Sequence, residues 1–306
     1  MLCVDVEPDP RLFALAEQPP WRGFELFAER APELRRRLAG LTRAPVRFTW
    51  CVRMDPQIAH TWGSLDWVAE TYHAELASLT DAGDELGLHT HTWRWEPNAG
   101  HWYAELDDHA WTAQSVDDGL DAFERSFGRR CQVHRGGDHY LDGAMLERLE
   151  ARGVRVDLTV EPGQRGGGAA RGEPSRGTSA DYRGIPTAPY RSTPDRFPRP
   201  AASAGGPLLI PLVSALGGRR IARTPIPPDS RPTRFIPRLE LELLRASQPP
   251  PVLAFAVRTD AALGPRWDAL VRNLEHIARR HDVTFVTATA ALELFERPFE
   301  LAASRA

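Results

Sequence analysis

Residues 83–93, GDELGLHTHTW, place two histidines, His89 and His91, one residue apart at the end of an apolar run. Alternate residues on an extended strand project from the same face, so both imidazoles can aim at one point while Thr90 turns away. The N-terminal run LCVDVEPD repeats the arrangement with carboxylates, since Asp5 and Glu7 are also two apart. Two imidazoles and one carboxylate are three protein ligands, the number a catalytic zinc-type site uses when a fourth position is kept for water. A His-x-His pair alone is equally a hydrogen-bonded strand end. It becomes a metal pair only if the fold carries a carboxylate to it.

The elements that must do so alternate along the chain. Residues 2–7 read as a strand, 23–38 as a helix with Phe24, Phe27, Leu34 and Leu38 on one face, 46–52 as a strand, and 65–83 as a helix stopped by Gly83. Then follow a strand (84–91), a helix (110–128), a strand (131–137), a helix (141–153) and a strand (154–160). Beyond a long irregular stretch come a strand-like run (207–216), a helix (235–247), a strand (251–260), a helix (265–281) and a last strand, VTFVTATA (283–290), leading into ALELFE. Strands alternating with helices imply parallel pairing through right-handed crossovers, in a barrel or a doubly wound sheet of seven or eight strands. In such folds catalytic groups gather at the carboxyl ends of strands, and four of these ends carry reactive residues: DVEPD, HTHTW, HRGGD and RTD.

The 306 residues fit one α/β barrel, with the chain expected to form a single domain over 1–298 and a tail at 299–306. Residues 161–206 lack apolar periodicity and are crowded with Gly, Pro, Arg and Ser, so they read as a long loop, substrate-facing or disordered, with 165–177 on the disordered side. A net charge of -3 in a sequence of mixed sign offers no clustered basic face for nucleic acid. No basic-then-apolar leader and no apolar span of about 20 residues is present, and a cytoplasmic location is expected. Cys3, Cys51 and Cys131 are widely spaced among apolar neighbours and suit buried reduced thiols.

In the order and context of these motifs the chain resembles the polysaccharide deacetylase family, the NodB-homology carbohydrate esterases. VDVEPD looks like a variant of the family's acidic first motif, GDELGLHTHTW like its histidine motif, and VHRGGDHYLD like its arginine segment. The resemblance implies a distorted (β/α)7 barrel, a divalent metal, most simply Zn²⁺, and release of acetyl from an N-acetylated sugar or related amide. Carried over residue by residue, it implies Asp5 as the base, His89 as the first metal histidine and Arg135 as the arginine that orients the base. The second acidic position is shifted, so Glu7 or Asp5 itself would be the carboxylate ligand. The family spaces its histidines four apart, which falls on Trp93 here, and His91 is the substitute on geometric grounds. Where the family has a late histidine acting as general acid, this chain has Arg258 and Asp260. A guanidinium is a poor proton donor at neutral pH. His134, His139 and Asp138 are the alternatives, and Asp138 is counted with Asp5 and Arg135 as catalytic.

Trp93, Trp95, Tyr182 and Asp260 are the expected substrate contacts, the aromatic faces by stacking on sugar rings, though tryptophans in such loops also simply pack. His276 and His281 fall at a helix end and read as surface or capping residues. Rival readings are hydrolysis of another non-peptide C–N bond, as in a cyclic amide, and a catalytically silent carbohydrate-binding protein.

Overall fold

The computed structural model describes residues 1–14, 17–169, 173–202, 205–216, 223–246 and 251–296, and the expected tail at 299–306 lies outside these. Twelve strands are described: β1 (Leu2–Val6), β2 (Thr49–Arg53), β3 (Glu85–Thr90), β4 (Trp93–Glu96), β5 (His101–Glu105), β6 (Val133–Gly136), β7 (Val156–Asp157), β8 (Ser175–Arg176), β9 (Leu208–Leu209), β10 (Ser214–Leu216), β11 (Arg223–Pro225) and β12 (Phe255–Arg258). The helices are α1 (Arg22–Thr42), α2 (Pro56–Trp62), α3 (Trp67–Thr71), α4 (His73–Asp81), α5 (His109–Phe127), α6 (Gly143–Ala151), α7 (Pro232–Arg245), α8 (Pro265–Arg280) and α9 (Ala288–Glu296).

Seven strands form one parallel sheet in the order β12-β1-β2-β3-β6-β7-β9. A bridge between Leu212 and Ala254 brings the chain after β9 back towards β12, so the sheet curls on itself as the expected (β/α)7 barrel does. Period-2 alternation sorts the side chains. Leu2, Val4 and Val6 pack outward with Phe24, Phe27 and Leu34 of α1, whereas Cys3, Cys51, Val133, Val156 and Leu208 pack on the other face. At the carboxyl ends the positions in phase with Cys3 are Asp5 and Glu7, so the apolar face gives way to charge at one mouth.

Three local expectations differ. The helix expected over 65–83 is two, α3 and α4, broken at Tyr72, whose ring packs among Trp21, Phe24 and Trp67. The expected last strand over 283–290 does not form. Its β-branched run ends at the opposite mouth, where Ala288 N donates to Thr49 Oγ1 and Thr289 N to Glu85 Oε2, and α9 starts there. The first residues of β2 and β3 thus anchor a helix where an eighth strand was expected. The long irregular stretch is seated on the rest of the chain: β8 pairs with β5, and Tyr182 is fully buried. No helix among the described residues is long and apolar enough to cross a membrane.

Candidate active site

Register does the first part of the assembly. Pairing places Asp5 opposite Arg258 on β12 and opposite Cys51 on β2, and His89 opposite Arg135 on β6. The side chains of Glu7, His89 and His91 then converge: His89 Nε2 lies 2.8 Å and His91 Nε2 2.9 Å from the same oxygen, Glu7 Oε1. All three residues are buried to within 2% of full burial.

The other ring nitrogens are committed elsewhere. His89 Nδ1 donates to the Arg135 carbonyl at 2.8 Å, and His91 Nδ1 donates to Asp138 Oδ2 at 2.9 Å. Each histidine therefore presents Nε2 to Glu7, and in a protein without a cation both contacts need a proton on Nε2. A divalent cation would replace those protons. Nδ1 bonded to a carbonyl or carboxylate is the outer support that metal-binding histidines commonly have. Glu7 Oε2 is buried without a hydrogen bond; Arg258 Nε lies 3.0 Å away as an ion pair but not in hydrogen-bonding alignment. An orphaned carboxylate oxygen beside two imidazole nitrogens that share its sister oxygen fits a divalent metal of the zinc class.

Charge around the cluster is matched rather than free. Burial would raise the Glu7 carboxyl, but Arg258 and the two histidines outweigh it and hold the group well below the usual carboxylate range. Burial opposes ionisation of Asp138 too, and the neighbouring His91 and Arg11 hold it well below that range. Arg11 Nη1 donates to Asp138 Oδ1 at 3.0 Å. His91 is raised: burial and Arg53 act to lower it, but Asp138 and Glu7 prevail.

Beside this cluster stands a second constellation. Arg135 Nε donates to both Asp5 oxygens, at 2.8 and 3.0 Å, and its Nη1 donates to the Leu158 carbonyl at 2.7 Å. Cys3 Sγ lies 3.6 Å from Asp5 Oδ1. Farther along the rim, His139 Nδ1 is 3.3 Å from Glu161 Oε1, and Arg135 Nη2 is 3.6 Å from the same oxygen. Burial lowers the His139 imidazole, but the facing Glu161 carboxylate outweighs it and leaves the ring above its ordinary value. Asp138 and His139 both have left-handed backbone, φ 51° and 59°, which turns the chain sharply after β6 and sends successive side chains to His91 and Glu161. Gly137 precedes them for a steric reason: a Cβ there would sit 2.1 Å from His91 Nδ1.

The two constellations face a cavity of about 450 Å³, lined by Asp5, Glu7, Arg11, His89, His91, Arg135, Asp138, His139, Glu161 and Arg258 on the polar side. The other wall is mostly apolar and includes Leu212, Ile226, Pro227 and Phe255. The volume is that of a small-molecule site. Six of the expected residues, Asp5, Glu7, His89, His91, Arg135 and Asp138, meet there.

The four expected substrate contacts do not line this cavity. Trp93 is 1% exposed and packs behind His91, ring centroids 6.0 Å apart. Trp95 sits edge-on to Trp102 at 5.4 Å. Tyr182 is buried, and its hydroxyl donates to the His139 carbonyl at 2.8 Å, so it braces the turn and does not face the cavity. Asp260 pairs with Arg258 and Arg266, which are themselves lining residues. Of the alternative proton donors, His134 is buried against Asp157 at 2.7 Å. Sequence reading missed Arg11 and Glu161. Neither belongs to a recognisable spacing, and each reaches the site from a segment read as loop.

No family model matches the sequence, and no curated protein matches it. Solved structures do. A polysaccharide deacetylase described as probable from Pseudomonas aeruginosa PAO1 aligns over 98% of this chain and 91% of its own, with a TM-score of 0.55 at 12% identity. A Mycobacterium smegmatis protein described as a polysaccharide deacetylase aligns over 97% and 91%, at 0.51 and 15%. Puue allantoinase aligns over 97% and 90%, at 0.55 and 13%. At these identities the likeness is one of fold, and it identifies the chain as a single α/β unit with the curled seven-strand architecture of the NodB-like deacetylase barrels.

Proposed function

We propose that the protein is a metal-dependent hydrolase of a non-peptide C–N bond that removes acetyl from an N-acetylated sugar or related small amide. The reading is carried by one observation: Glu7, His89 and His91 converge on a point in the same cavity that holds the Arg135-oriented carboxylate of Asp5.

Glu7, His89 and His91 would hold the divalent cation, which when bound supplies Lewis-acid polarisation of the amide carbonyl and acidifies water. Asp5, fixed by two contacts from one guanidinium, accepts the proton of the attacking water. His139, whose pKa the facing Glu161 raises, delivers a proton to the departing amine. Water is added across the C–N bond, leaving a carboxylate and an amine. Asp138 acts through His91: both its oxygens are engaged and it is held ionised, so it positions the ring and does not donate. Arg258 holds the outer oxygen of Glu7.

A second reading, hydrolysis of a compact cyclic amide, draws on the cavity wall. Phe255 is the one Phe, Tyr or Trp among the described lining residues, so the wall offers a single large aromatic face. The fold is shared with deacetylases and with Puue allantoinase and does not choose between them. The test is elemental analysis of protein purified without chelator, followed by acetate release from N-acetylated sugars. Bound zinc that falls in the His89→Ala and His91→Ala variants, with turnover lost in step, is the expected result. Full metal content in both variants overturns the reading, and turnover confined to cyclic amides selects the second.

A further inference from the structure

A separate group of ligating side chains lies between α7 and α8. Glu240 Oε1 is 2.6 Å from His276 Nε2 and 3.0 Å from His281 Nε2, and the three donor atoms all lie within 4.8 Å of one another. Two imidazoles thus point at one oxygen of one carboxylate, the same convergence seen at Glu7. Their side chains are 22%, 25% and 29% exposed for His276, His281 and Glu240, enough for solvent to reach the point of convergence.

We propose that Glu240, His276 and His281 form a second divalent-metal site, of the zinc class, that staples α7 to α8. Tetrahedral zinc with bonds near 2.0–2.2 Å sets neighbouring donors about 3.3 Å apart, so the two Glu240–histidine contacts need to open by about 0.7 and 0.3 Å, with the two ring nitrogens within 4.8 Å of each other. Two nitrogens and one oxygen are a common zinc donor set, and the exposure leaves a fourth position for water. His281 is also the C-cap of α8, with its backbone N–H donating to Ile277 O. The negative end of a helix dipole favours a cation there.

The staple has something to hold. Pro237 interrupts the hydrogen-bond ladder inside α7, which leaves that helix dependent on packing. Residues Pro225, Ile226, Pro227, Asp229 and Ser230, which precede α7, line the cavity. They are tied to α8 at one end, where Asn273 Nδ2 donates to the Pro228 and Ser230 carbonyls at 2.7 Å each and Arg266 Nε donates to Asp229 at 2.7 Å. A metal at Glu240 fixes α7 to α8 beyond them.

The site is tested with zinc and cobalt on the full chain, freed of metal and of any affinity tag. The wild type is expected to take up two equivalents of Zn²⁺ at micromolar free metal, and the His276→Ala/His281→Ala variant one fewer. The His89→Ala/His91→Ala variant should keep one equivalent, show tetrahedral Co²⁺ absorption bands, and melt at higher temperature with Zn²⁺. Adding Glu240→Gln, which keeps a hydrogen-bonding side chain, should abolish the bands and the thermal shift. Unchanged stoichiometry in the His276→Ala/His281→Ala protein, or no zinc uptake by the His89→Ala/His91→Ala protein, overturns the proposal. Each pair of variants reports on its own site, so failure of the cavity site leaves this result readable.

Discussion

Gly137 shows how narrowly the site is built. With a Cβ only 2.1 Å from His91 Nδ1, the Gly137→Ala variant must push the ring off Asp138 or off Glu7. Bound metal should fall about 10–100-fold in affinity, as when an outer support of a ligand is lost, while circular dichroism stays that of the wild type. His139 gives a pH signature. A general acid must be protonated, and its pKa is raised by Glu161 against the effect of burial. Turnover should therefore fall on the alkaline side, as pH rises through that raised value. Glu161→Gln removes the charge that raises it, so the fall in kcat should begin at lower pH; a profile that does not move would remove His139 from the proton path. The histidines and the acidic pair were legible in the sequence because strand periodicity shows them directly. Glu161 was not, since a carboxylate in a Gly- and Pro-rich stretch has no period to mark it.

The N-cap of α2 links an element to the site. Asp55 Oδ1 accepts from the Gln57 and Ile58 amides, while Oδ2 pairs with Arg53 Nε at 2.6 Å and accepts from the His91 backbone N–H at 3.3 Å. Arg53 is fully buried. Two effects compete in Asp55→Ala: loss of a cap costs about 1 kcal/mol, whereas stranding a buried charge costs about 3–5 kcal/mol. The second should win. Urea denaturation is expected to show a loss near the larger figure, and a much smaller one for Asp108→Ala at the exposed cap of α5. At this scale the sequence predicted most elements but misread VTFVTATA. A β-branched run has the composition of a strand, but the sheet edge beside β12 is approached by Leu212, and the run is drawn to Thr49 and Glu85 at the other mouth.

In the whole molecule, the barrel mouth gathers five carboxylates, four guanidiniums and three imidazoles into one cavity. Such a mouth is stabilised by whatever cation binds the folded state alone, and the gain grows with the logarithm of free metal. Removing metal with a chelator should lower the melting temperature, and adding back Zn²⁺ in steps should raise it progressively. In the protein lacking His89, His91, His276 and His281 the melting temperature should not respond. The sequence by itself determined the alternation of strands and helices, and with it which faces of β1 and β3 carry carboxylates and imidazoles, because side-chain direction on a strand follows from a two-residue period. Only the tertiary structure decided that Glu7 and not Asp5 meets the histidines, that Trp93 and Tyr182 are buried supports, and that Glu240 faces His276 and His281. The contacts made by Glu7 and Glu240 join residues 36 to 84 positions apart, and their partners are set by sheet register, crossover geometry and helix packing, which no local spacing records.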